Sequence, residues 1–166
     1  MKYNLIVWLC FICLVTSCKL AVHETDDKGI NKTLDNWHAA AAKADFENYF
    51  KLIAEDGVFI GTDATENWNK KDFMVWSKPY FDKGKAWNFT SLKRNIYFDK
   101  SNELAWFDEL LSTQMKICRG SGVMVKEEDG WKIKHYVLSM TIPNDLSDTI
   151  VSIKSPIEDE FLKTLK

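Results

Sequence analysis

The sequence predicts an α+β domain in which three helices come first and a strongly curved antiparallel sheet wraps around them. Three observations carry this. Residues 31–84 hold apolar side chains at helical spacing, interrupted by the short strand-type run Val58-Phe59-Ile60. Residues 87–142 hold long β-branched and aromatic stretches separated by turn sequences. Helical and strand segments are segregated along the chain, which places the helices to one side of a single sheet.

The early elements follow from their own residues. Leu34, Trp37, Ala41 and Ala44 mark a first helix, strengthened by the Ala40-Ala41-Ala42 run. Asp45 is placed to cap a second, whose stripe is Phe46, Tyr49, Phe50 and Ile53, with Asp56-Gly57 as its end. Asn69 is placed to cap a third, with Asp72 in its first turn, Phe73, Trp76, Tyr80 and Phe81 on its apolar side, and Pro79 expected to kink or end it. Four strands are then expected over 87–98, 104–113, 120–126 and 131–142, with a hairpin turn at Asp129-Gly130. Beyond Pro143, Ser155-Pro156-Ile157-Glu158 reads as the start of a short helix, with Phe161, Leu162 and Leu165 available to dock on the domain.

The 166 residues give room for one domain. Hydrophobic residues at 46 % and charged residues at 28 % describe a globular chain. Lys and Arg total 22 against 24 Asp and Glu, so the basic excess of a nucleic-acid binder is lacking and nucleic acid is excluded as the expected partner. Aromatics reach 13 %, with seven Trp and ten Phe, which calls for a large aromatic core or an aromatic-lined cavity.

The first residues are a targeting segment. Lys2 precedes an apolar run, Leu5 to Val15, too short to span a bilayer of roughly 30 Å. It ends in Val15-Thr16-Ser17-Cys18, which resembles a bacterial lipobox. The expectation is a lipoprotein signal peptide over 1–17, lipidation of Cys18, and a flexible tether over 18–30. The domain proper then covers 31–143 and a C-terminal extension covers 144–166. The protein would be held on a membrane of the bacterial cell envelope, facing the periplasm or the exterior. With Cys10 and Cys13 removed and Cys18 lipidated, Cys118 has no disulfide partner and reads as a small buried strand residue.

Two stretches carry a family resemblance: Val58-Phe59-Ile60-Gly61-Thr62-Asp63 with Glu66 and Trp68, and Asp129-Gly130-Trp131-Lys132-Ile133-Lys134-His135 with Val137 and Ser139. Together with the element order they resemble the SnoaL-like branch of the nuclear transport factor 2-like superfamily, over about residues 31–143. The resemblance implies a cone, a bent sheet closed around its helices with a cavity inside. The first stretch would lie at the mouth, and the second would form the hairpin and last strand. The superfamily includes isomerases, dehydratases and non-enzymatic binders, so the fold leaves the function open.

Alternation along the strands selects the side chains expected inside. On the last strand Ile133, His135, Val137 and Ser139 share the expected inner face. On the strand from Leu104, Trp106 and Asp108 share one face, and Phe107 and Glu109 the other. Arg119 is expected inward, paired with Glu109 or with Asp108. A cluster of Glu109, Arg119 and His135 would then project into the cone, as a structural network, a ligand site, or an acid–base centre with His135 as general acid or base. Trp37, Asp63, Trp68, Trp76, Tyr80, Phe107, Asp108 and Ser139 are the expected pocket residues, and His38 is read as surface or pocket rim. The histidines are far apart in sequence and no Cys pairs or phosphate loop occur, so neither metal nor cofactor is expected. The expected function is binding of a small, partly apolar ligand. The alternatives are an isomerase, dehydratase or hydrolase using His135, and a dimeric interaction module pairing through Trp106, Tyr136, Leu138 and Met140.

Overall fold

The structure is a computed structural model and describes residues 26–165. The expected signal peptide over 1–17 and the expected lipidation site Cys18 lie outside the described residues. The elements are α1 (Asp27–Ala42), α2 (Phe46–Lys51), β1 (Ile53–Ile60), β2 (Asn67–Asn69), α3 (Lys70–Asp82), β3 (Thr90–Phe98), β4 (Leu104–Thr113), β5 (Lys116–Glu127), β6 (Gly130–Met140), a single 3-10 turn (Asn144–Leu146) and α4 (Ser147–Thr164). The sheet order is β2-β1-β6-β5-β4-β3. All neighbours are antiparallel except β1 and β6, so the sheet is mixed.

α1 begins earlier than its apolar stripe suggests. Asp26 accepts the Gly29 N–H at 2.9 Å as N-cap and accepts the Trp131 indole N–H at 3.0 Å. Ile30 is fully buried. Asp26 to Ile30 thus cap or form the first turn of α1, within the stretch expected as tether. The caps at Asp45 and Asn69 form as expected, each accepting a backbone N–H three residues on. α2 stops at Lys51, because Ile53 already pairs with Ile133 of β6 and is claimed by the sheet. Pro79 lies in the last turn of α3 and does not end it; Gly84 at φ +68° does.

β6 is not the uninterrupted strand that alternation assumes. Val123 pairs with His135 but Met124 pairs with Ile133, which leaves Lys134 without a partner on β5. This one-residue bulge reverses the facing of everything after it. Ile133 points into the core, and beyond the bulge Tyr136 and Leu138 do so. Lys134 reaches the Asp56 carboxylate of β1.

The core is aromatic. Trp37 stacks on Tyr49 at 5.0 Å, Phe59 on Phe73 at 4.2 Å, and Tyr136 meets Trp37 edge-on at 4.7 Å. Such pairs each add roughly 0.5–1.5 kcal/mol beyond area burial. The cone interior is therefore packed over most of its depth rather than hollow.

α4 also departs from expectation. It runs through Pro156 as one helix, since Ser155 does not cap: its hydroxyl donates back to the Val151 carbonyl at 2.7 Å. No residue of α4 is buried, so Phe161, Leu162 and Leu165 do not dock into the core.

Candidate functional site

The residues expected to form one cluster lie on two faces of the sheet. Glu109 points inward and is completely buried. Arg119 is exposed, between the buried Cys118 and Gly120, and pairs across the strands with Leu110 and Ser139. The glycines of β5 face inward, not outward: a Cβ on Gly120 would collide with the Tyr136 hydroxyl and the Glu109 side chain. That reverses the expected facing of Arg119. His135 is half-buried on the outer face, displaced there by the Lys134 bulge. The Glu109–Arg119–His135 centre is therefore not formed.

Glu109 has other partners. Arg94 of β3 donates to its Oε2 through Nε at 3.0 Å and Nη2 at 2.8 Å. His38 of α1 donates through Nε2 to Oε1 at 2.8 Å, and the Tyr136 hydroxyl donates to the same oxygen at 3.2 Å. Arg94 continues to Asn31 Oδ1 at 2.8 Å and Asp35 Oδ1 at 3.0 Å. Burial alone would raise the Glu109 pKa, but the hydrogen bond and charge of His38 and the Arg94 guanidinium outweigh it and hold the carboxyl below the usual glutamate range. Burial and the Glu109 charge push the Tyr136 hydroxyl well above the usual tyrosine range, which keeps it a donor. Every carboxylate lone pair that geometry allows is used, so the network is a clasp between α1 and the sheet. His38 is buried, not at the surface or pocket rim as expected, because it stands at i+4 from Leu34 and shares the inward stripe of Leu34, Trp37 and Ala41; Arg94, not singled out by the sequence reading, shares a strand face with Ile96 and Phe98.

The other expected residues separate cleanly. Trp37 and Phe107 are core. Asp108 takes the Asn95 amide at 3.1 Å on the outer face, where Ser139 is exposed. Asp63 caps its own loop, accepting the Thr65 N–H at 2.9 Å and hydroxyl at 2.6 Å. Trp68, Trp76 and Tyr80 do meet at the mouth: Trp68 lies 4.6 Å from Trp76, and Trp76 lies 5.2 Å from Tyr80.

That mouth holds a cavity of about 140 Å³, lined by Phe59, Trp68, Phe73, Trp76, Trp87 and the carboxylate-bearing Glu66, among others. Three larger hollows, about 510, 490 and 340 Å³, are bordered mainly by polar and charged side chains, Lys, Asp, Glu and Asn around the first two and Asp35, Asn88, Thr90 and Ser91 around the third. The smaller one has the composition of a ligand site, apolar rings with a few convergent polar groups. Its carboxylate is set by the turn after β1. The Gly61 N–H donates to the Glu66 carbonyl at 3.0 Å and the Asp63 N–H to Glu66 Oε2 at 3.2 Å. A Cβ on Gly61 would displace that carboxylate, so the glycine lets Glu66 lie against the turn. Behind the ring floor, the Trp37 indole N–H is buried without a hydrogen-bond partner among the described residues, and the Tyr49 hydroxyl forms no hydrogen bond of normal geometry. Burial raises the Tyr49 pKa well above its usual range, offset in part by the neighbouring Trp87 indole.

The sequence model for the SnoaL-like domain matches residues 30–143. The chain belongs to the SnoaL-like domain family. Solved structures agree on the fold of this SnoaL-like domain. A cystatin-like-fold domain of unknown function from Nostoc punctiforme superposes with TM-score 0.62 at 14 % identity, over 84 % of this chain and 94 % of that one. A "putative scytalone dehydratase" from Novosphingobium aromaticivorans gives 0.59 at 13 %, over 69 % and 83 %. A "putative ketosteroid isomerase" from Shewanella frigidimarina gives 0.56 at 16 %, over 68 % and 96 %. No curated protein matches the chain. At such identities the likeness shows the SnoaL-like, nuclear transport factor 2-like fold, and the chemistry has to come from the site.

Proposed function

We propose that this SnoaL-like domain is a ligand-binding module of a cell-envelope lipoprotein, taking a small, partly apolar molecule into the aromatic cavity at the mouth of the cone. The observation that carries the reading is the ring-walled hollow with Glu66 at its edge. The membrane association rests on the Cys18 motif. Among the described residues no helix is long and apolar enough to cross a membrane. An acid–base enzyme built on His135 has no geometric support, because His135 and Glu109 lie on opposite faces of the sheet.

The test is a thermal-shift titration of the full-length chain with indole as a small apolar probe. Indole raises the Tm of the wild type, and Trp76→Ala reduces the shift without unfolding the domain, since Trp76 is 39 % exposed. No shift, or an unchanged shift in Trp76→Ala, rejects the cavity as the site.

One observation favours a second role. Tyr97 and Trp106 stack at 5.9 Å on the outer face of the sheet, and each is nearly half exposed. Such a pair on a bare sheet supports a homodimer through this face. Of the four residues expected to form that patch, Trp106 and Met140 are exposed while Tyr136 and Leu138 face the core.

A further inference from the structure

We propose that the ligand class of the mouth cavity is a methylated ammonium cation, such as a choline-type headgroup; this rests on the cavity being the binding site. Among the described residues lining it, Glu66 is the one charged side chain, and no Lys or Arg is present to receive an anion. The turn beside it adds a second carboxylate at Asp63. The Thr65 hydroxyl and N–H hold the Asp63 carboxyl below its usual range.

Three ligand classes can be compared on this lining. An anion would meet like charge with nothing to neutralise it. A neutral apolar molecule would fill the ring-lined space but strip water from the half-buried Glu66 without giving it a partner. A cation meets both demands: Glu66 pairs with its charge, and the electron-rich rings of Trp68, Trp76 and Trp87 attract it. A primary ammonium would lose its hydration to a lining poor in acceptors. A trimethylammonium group spreads its charge over methyls that pack against rings. The cavity is also of the right size, about 140 Å³, close to the ~150 Å³ that holds one benzene molecule.

The experiment is a calorimetric titration of the full-length chain, at matched ionic strength, with choline and with dimethylbutanol, its uncharged carbon isostere. Choline binds more tightly than the isostere by about tenfold or more. Glu66→Gln brings the choline affinity down to about that of the isostere, in a variant whose circular dichroism matches the wild type. Equal affinity for the two probes, no binding of choline, or a preference that survives Glu66→Gln overturns the cationic class. Binding of the isostere alone, or of indole alone, rejects the cation while the cavity reading stands. Absence of indole binding as well rejects both.

Discussion

Arg94 holds Glu109 side-on across the β3–β4 pair, with Nε and Nη2 donating to the same carboxylate oxygen at 3.0 and 2.8 Å. The other oxygen is taken by His38 and Tyr136, so one buried carboxylate fastens a helix and three strands. A buried ion pair contributes little net stability compared with an apolar replacement of the whole set, but removing a single member leaves a charge stranded.

Glu109→Ala is therefore expected to destabilise the domain by roughly 3–5 kcal/mol, because Arg94 keeps only the exposed Asp35 as an ionic partner. Urea unfolding followed by tryptophan fluorescence measures this. A loss below about 1 kcal/mol, the scale of an exposed pair, would show that the clasp is not formed.

The pH dependence has a defined sign. The folded pKa of Glu109 is depressed, so its contribution is complete above the unfolded value of about 4.3 and is lost as pH falls through the lower folded value. Asp45, Asp56, Asp63, Asp99 and Asp129 are lowered too, though none of them is buried, so the informative quantity is a difference. Wild type minus Glu109→Gln, measured by urea unfolding from pH 7 down into that window, should narrow as the acid limit is approached. A constant gap would contradict an ionised Glu109.

Trp106→Asp is expected to convert a dimer to a monomer in sedimentation equilibrium with the Tm nearly unchanged, since Trp106 is 45 % exposed and stacks on the outer-face Tyr97. A monomeric wild type at high micromolar concentration removes the dimer proposal.

Cys18→Ser is expected to abolish metabolic labelling with palmitate and to move the protein out of the membrane fraction. Labelling that persists in the variant would place the anchor elsewhere.

Much of the architecture was legible in local signals. Asp45 and Asn69 cap as their side chains dictate, and β4 spans Leu104–Thr113 as its alternation predicts. What local signals do not carry is long-range pairing. Nothing near Ile53 announces a parallel partner at Ile133, so the start of β1 reads as the end of a helix. The candidate site suffered more. Alternation leaves Asp108 and Glu109 as alternatives for the inner face, and it is Glu109 that lies inside, without the expected Arg119 and His135: Gly120 and Gly122 face inward in place of Arg119, where Tyr136 and Phe107 crowd any side chain. Trp76 and Tyr80 stand at i and i+4 on α3, a spacing legible without strand parity, and Trp68 of β2 meets them at Trp76.

Because Lys134 is the spare residue of β6, the strand keeps two reading phases, one ending at Ile133 and one beginning at His135. Deleting Lys134 would merge them and still leave Tyr136 turned toward Glu109. Deleting Val137 instead would leave Tyr136 inside but rotate every later side chain by half a turn, delivering Ser139 to the interior and Leu138 to water. Length variation in this strand is tolerable at one position and ruinous a few residues further along.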